Sequence, residues 1–172
     1  MMHLLDGVGL WADIRCERPA EARPVLFVDR DGVLIEDRGY VGSVAETRLY
    51  PDAPESVAAA RAGTAVDAVF ACAYHADGQA PYAIADHFWR KPNPGMILEG
   101  LRRLNGTAAH SAMVGDKPGD IAAARAAGLG HAVLVEREAS GVAKDCAADA
   151  VVRSLGEAVK TLVQSGARQC AP

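Results

Sequence analysis

Four apolar residues in a row, Val25-Leu26-Phe27-Val28, end abruptly in Asp29-Arg30-Asp31-Gly32. An uninterrupted apolar run between polar flanks suits a buried strand, although periodicity alone leaves a helix open. Gly32 favours the strand, because glycine accommodates a tight turn. Similar runs recur. Val66-Asp67-Ala68-Val69-Phe70 alternates as a second strand, and Ala112-Met113-Val114-Gly115-Asp116 is a third that again ends in an acid. Ala132-Val133-Leu134-Val135 is a fourth, and Ala150-Val151-Val152 a short fifth. Helical patterns separate them. One covers residues 55–61 behind Pro54. A second has Asn93 as cap, Pro94 at its first position, and an apolar face of Ile97, Leu98, Leu101 and Leu104, stopped by Asn105-Gly106. A third runs from Asp120 to Ala127 and closes at Gly128. The last starts at a capping box, Ser154-Leu155-Gly156-Glu157, and reaches about Gln164. Strands separated by helices predict an α/β fold with a mostly parallel sheet and helices on both faces. In such sheets the chemistry sits at the carboxyl ends of strands.

The same pattern divides the chain. Residues 1–23 read as an N-terminal extension, in which Leu4, Leu5, Leu10 and Trp11 could pack against the domain. Residues 24–165 form a single domain, and residues 166–172 a loose tail. Gly32, Gly39 and Gly42 predict a looped excursion over the site, and residues 72–90 a second loop. The total of 172 residues suffices for one domain with a real core.

Charge and cysteines narrow the partners. A formal charge of −4 with no basic block excludes the dense basic footprint that nucleic acid requires. A phosphorylated small molecule stays open, since one local site can be positive on an acidic chain. Cys16, Cys72, Cys146 and Cys170 are far apart and form no C-x-x-C pair, which argues against a disulfide scaffold. No stretch approaches a membrane span. The expectation is a cytoplasmic protein.

The acids at strand ends carry the candidate chemistry. Asp29, Asp31 and Asp116 could converge. Clustered carboxylates are the hard oxygen ligands that Mg²⁺ takes, and the cation relieves their mutual repulsion. Asp29 could then attack an electrophilic phosphorus, with Asp31 protonating the leaving oxygen and later activating water. Lys91 is a positive clamp ahead of a helix. The plain alternative is a set of unrelated acids at helix starts, which the helix dipole favours anyway. Asp120 fits either reading.

Three stretches, Val28-Asp29-Arg30-Asp31-Gly32-Val33, Arg90-Lys91-Pro92-Asn93-Pro94-Gly95-Met96 and Val114-Gly115-Asp116-Lys117-Pro118-Gly119-Asp120, resemble the haloacid dehalogenase (HAD) superfamily of phosphotransferases. The resemblance is greatest to its branch of histidinol-phosphate and heptose-bisphosphate phosphatases. Gly39-Tyr40-Val41 and the stretch from Ala148 to Leu155 fit that branch too. The resemblance implies a three-layer Rossmann-like fold, shortened and essentially capless. It implies Asp29 as nucleophile through a phosphoaspartate, Asp31 as general acid/base, and Lys91 holding the phosphoryl group. Asp29, the carbonyl of Asp31 and Asp116 would surround Mg²⁺, with Asp120 supporting the metal site. Arg90, Lys91 and Lys117 would contact the substrate, and the loops 36–49 and 72–90 would set specificity. The implied activity is hydrolysis of a sugar or polyol phosphate, heptose 1,7-bisphosphate first and histidinol phosphate as the alternative. Self-association is open.

Two departures stand beside this resemblance. The family's second strand, ending in Thr or Ser, should fall between the first helix and Val66. Only a few residues, among them Thr64, lie there. Loss of one transition-state donor costs roughly 10²–10³ in rate, so a non-catalytic, truncated relative is the rival reading. The heptose branch also carries a Cys/His loop before Arg-Lys-Pro. Here Cys72, His75 and His87 remain, with Asp86 a poor fourth ligand, where a structural zinc takes four. The expectation is a zinc-free loop with Phe88 and Trp89 packed over the sheet.

Overall fold

A computed structural model describes residues 2–39, 43–61, 66–138 and 146–165. Expectations placed on Tyr40, Val41, Gly42, Gly63, Thr64, Cys170 and the tail 166–172 fall outside them. The described residues contain seven strands: β1 Met2–Leu4, β2 Leu10–Ile14, β3 Leu26–Val28, β4 Ala68–Cys72, β5 Ala112–Gly115, β6 His131–Val135 and β7 Ala150–Val152. Among the same described residues four α-helices accompany them: α1 Ala53–Arg61, α2 Gly95–Leu104, α3 Pro118–Ala126 and α4 Leu155–Gln164. None of the described helices is long and apolar enough to cross a membrane.

Strands β3, β5, β6 and β7 form a parallel sheet in that order. Alternation along β5 and β6 feeds two cores, one on each face. Met113, Ala132 and Leu134 pack against Ile97, Leu101 and Leu104 of α2 and Ile121, Ala123 and Ala124 of α3. Ala112, Val114, Val133 and Val135 point the other way, onto Leu155, Ala158, Val159 and Leu162 of α4, with Val57 and Ala60 of α1. Ala123 and Ala124 of α3 are fully buried and let that helix lie close to the sheet. This is the predicted three-layer arrangement.

The sheet is not one piece, which corrects a reading of all the strands as one mostly parallel sheet. β4 runs antiparallel to β2, which pairs antiparallel with β1, and these three form a separate sheet. The predicted strand at Val66 begins two residues later. Its register against β2 pairs Ala68 with Ile14 and Cys72 with Leu10, so Val66 stays exposed. The strands β1 and β2 were not expected. Leu10 and Ala12 alternate inward, and Leu10 packs with Tyr74 and Trp89, whereas Leu4 and Leu5 are exposed. Trp89 is buried as expected, but Phe88 is 56% exposed.

Among the described residues no strand pairs with β3 on the side away from β5. Leu26, Phe27 and Val28 are consequently all half-buried, which corrects the expectation of a fully buried strand. β4 does not fill the place beside β3, because its pairing is with β2. Helix α2 reaches both sheets: a Cβ added at Gly100 would stand 2.5 Å from Phe27 and 3.5 Å from Phe70.

Helix ends mostly follow the local signals. Asn105 adopts a left-handed conformation after α2, and Ser154 Oγ accepts from the Glu157 backbone N–H ahead of α4. Two details differ. Asn93 does not cap α2, because its amide donates to Asp86 Oδ1 at 2.7 Å and to the His87 carbonyl. Glu157 returns its side chain to the Arg153 N–H rather than closing the box on Ser154.

Candidate active site

The carboxyl ends of β3 and β5 lie side by side, since Val28 is in register with Val114. That register brings Asp29, which follows β3, next to Asp116, which follows β5. The Asp29 N–H donates to the Val114 carbonyl at 2.9 Å and fixes the first of these acids. Asp120 enters from the first turn of α3 and is almost fully buried. A Cβ at Gly115 would lie 2.2 Å from the Asp120 Cβ, so only glycine allows this approach. Asp29, Asp116 and Asp120 each present a carboxylate oxygen, all within 4.8 Å of one another.

Lys91 reaches into this cluster from the segment before α2. Its ammonium donates to Asp29 Oδ1 at 2.6 Å and is ion-paired with Asp120 Oδ1. Burial works against the ammonium, yet Asp120 and Asp29 hold its pKa above the ordinary lysine value. The Lys117 N–H donates to Asp120 Oδ2 at 3.0 Å. Asp116 is left differently. Its Oδ1 is buried and lacks a hydrogen-bond partner among the described residues. Burial, reinforced by Asp120 and Asp29 and opposed by Lys117, pushes its carboxyl up to about 6.

An orphaned buried carboxylate oxygen beside two further carboxylates fits a hard divalent cation. Asp29 and Asp116 are the residues that would hold Mg²⁺, with Asp120 in reach and tied to Lys91. When bound, the cation would neutralise the cluster and stabilise negative charge on a transferring phosphoryl group.

The Asp31 carboxylate is not part of this cluster. Its two oxygens accept from Arg30 Nε at 3.0 Å and Nη2 at 2.8 Å. Lys117 Nζ donates to Asp37 Oδ2 at 2.8 Å and stands 3.9 Å from Asp116. This pair ties the loop 36–39 to the site. The Arg90 N–H donates to the His87 carbonyl, and the side chain is half-buried at the foot of the second loop. Cys72, His75 and His87 do not gather into a metal-ligand cluster among the described residues. His87 stacks on Tyr74 at 4.4 Å and accepts the Trp89 N–H through Nδ1, while His75 Nδ1 accepts from the Asp77 N–H.

Sequence reasoning missed the other wall of the site. Next to Asp116 opens a pocket of about 320 Å³ lined by Gly32, Asp37, Tyr50, Val135 to Glu138 and Asp116 itself. Arg137, over a hundred residues from Gly32 in the chain, crosses this wall and donates to the Gly32 and Val33 carbonyls. No local pattern marks it, because its partners are backbone oxygens supplied by the fold.

The raised Asp116 pKa has a sign that can be checked. The metal-free folded protein binds this proton more tightly than the unfolded chain, whose ordinary value is 3.8. The stabilisation is complete below that value and is lost as pH rises through about 6. From pH 5 to 7.5 this group should cost about 1.4 kcal/mol of stability. Urea unfolding with a chelator at both pH values measures it. Asp116→Asn should remove the slope, and a wild-type midpoint that does not fall with pH refutes the assignment.

Comparison with known proteins agrees with this geometry. The HAD-hydrolase-like family matches residues 88–158. The chain is 35% identical over 155 residues to a D-glycero-beta-D-manno-heptose-1,7-bisphosphate 7-phosphatase of Mesorhizobium japonicum, covering 68% of this chain and 71% of the relative. It is 32% identical over 181 residues to a D-glycero-alpha-D-manno-heptose-1,7-bisphosphate 7-phosphatase of Burkholderia mallei, covering 82% of this chain and 94% of the relative. The crystal structure of a HAD-like phosphatase from Mesorhizobium loti matches with a TM-score of 0.80 at 31% identity, over 97% of this chain and 99% of that one. A D,D-heptose 1,7-bisphosphate phosphatase from B. bronchiseptica, complexed with magnesium and phosphate, shares the fold with a TM-score of 0.63 at 23% identity, over 84% and 99%. Two acids at strand ends, a third from a helix start, the lysine bridge and these relatives together settle the family: the chain belongs to the haloacid dehalogenase superfamily of hydrolases, in its heptose-bisphosphate phosphatase branch.

Proposed function

We propose that the protein is a Mg²⁺-dependent, cytoplasmic phosphatase that removes the 7-phosphate of D-glycero-D-manno-heptose 1,7-bisphosphate. The observation that carries the reading is the Asp29–Asp116–Asp120 cluster bridged by Lys91. Asp29 attacks phosphorus through a carboxylate oxygen. The bond from phosphorus to the sugar oxygen breaks, and Asp31 gives that oxygen a proton. Asp31 then takes a proton from water, which hydrolyses the phosphoaspartate and restores Asp29. Lys91 stays within reach of Asp29 throughout and holds the negative charge of the phosphoryl oxygens. For Asp31 to serve, its carboxylate must leave the exposed Arg30 fork, an exchange that costs little at the surface. Lys117 and Arg90 contact the substrate, and the pocket beside Asp116 receives part of the polyol.

The names of the relatives support the heptose substrate. The test is phosphate release from a panel holding both anomers of heptose 1,7-bisphosphate, histidinol phosphate and simple hexose phosphates, with Mg²⁺ and with a chelator. Mg²⁺-dependent turnover should be greatest on the heptose bisphosphates. Preference for histidinol phosphate would move the protein to the other substrate of its branch. Absence of turnover by a folded sample would refute the catalytic reading.

A further inference from the structure

The guanidinium of Arg137 is committed on every side. Nε donates to the Gly32 carbonyl at 3.3 Å and Nη2 to the Val33 carbonyl at 2.9 Å. Nη1 and Nη2 face Asp52 Oδ1 at 3.4 and 3.5 Å. The carbon of the guanidinium lies 3.4 Å from the centroid of the Tyr50 ring, a cation–π contact. Asp52 is anchored in turn, because its Oδ2 accepts from the Gly156 N–H in the first turn of α4. A side chain held this way is not free to take up a ligand. It is a brace between the end of β6, the residues before α1 and the turn after β3.

That turn sets the metal site. Gly32 packs directly on Asp116: an added Cβ would stand 2.2 Å from Oδ2 and 2.4 Å from Cγ. The position of the Gly32 backbone therefore limits where the Asp116 carboxylate can sit. We propose that Arg137 is a positioning residue for the cation site, acting through the Gly32 and Val33 carbonyls to hold the turn against Asp116. The inference rests on the cation site of the proposed function. Two parallel N–H donors aimed at successive carbonyls require a planar fork, which lysine lacks. The expected consequence is a weaker cation site rather than an altered fold. Changes in partners that orient metal ligands cost roughly 10–100-fold in metal affinity.

The experiment is direct cation binding, read as free Mn²⁺ by electron paramagnetic resonance, with Mg²⁺ as competitor and no substrate present. Arg137→Met should raise the dissociation constant for Mn²⁺ by about tenfold or more. Arg137→Lys, with its charge and stem retained, should also bind more weakly than wild type. A purely structural role would lower the melting temperature and leave the affinity of the folded protein unchanged, and that result overturns the proposal. A wild-type protein that binds neither cation overturns the metal site itself. A second measurement needs no variant: the Arg137 Nε–H resonance of ¹⁵N-labelled wild-type protein should shift as Mg²⁺ is added. A resonance that stays in place while Mg²⁺ binds refutes the coupling even where both variants fail to fold.

Discussion

Asp29→Asn should lower phosphate release by about 10⁴-fold or more while the protein stays folded. The amide keeps the shape of the carboxylate, and Lys91 keeps Asp120 as its counter-ion. On the proposed mechanism what is lost is the nucleophile, which the amide cannot replace. The chemical signature is sharper than the rate. Acid-quenched wild-type protein should carry phosphate on the peptide containing Asp29, visible by mass spectrometry, and the variant should carry none. A folded variant that retains more than about a tenth of the activity would contradict the nucleophile assignment, since loss of a nucleophile is never so mild.

Gly32→Ala should damage both the fold and the cation site. The position has φ +75°, where a side chain costs about 1–2 kcal/mol. The new Cβ would also meet the Asp116 carboxylate at 2.2 Å, and overpacking adds about 1–3 kcal/mol. Asp116 can relieve the clash only by leaving its place, so Mn²⁺ affinity should fall with stability. Gly39→Ala is the control. Its φ is +77°, and an added Cβ there meets nothing within 4 Å. It should cost the backbone strain alone and leave cation binding unchanged. Equal effects of the two alanines on Mn²⁺ affinity would show that the contact with Asp116 is not what matters.

The sequence by itself determined the elements whose signals are local. Apolar runs ending in acids located β3 and β5, alternation located β4, short apolar runs located β6 and β7, and stop or cap residues bounded the helices within a few residues. Those runs also named Asp29, Lys91, Asp116 and Asp120, because strand ends and helix starts are where side chains of one sheet edge meet. β2 had a legible alternation, with Leu10 and Ala12 inward, but its partner lies almost sixty residues away. Pairing at that range is decided by which edges remain open, and no local pattern records it.

Tertiary structure alone decided the rest. It split the strands into two sheets and left β3 without a second neighbour among the described residues. It turned Asp31 toward Arg30 and left Asp116 with a buried, unpartnered oxygen. It also brought Arg137 onto the turn at Gly32. The physical reason is common to all of these. Burial and charge proximity depend on distances between residues remote in the chain, and an arginine that reads backbone carbonyls leaves no mark in the residues it reads.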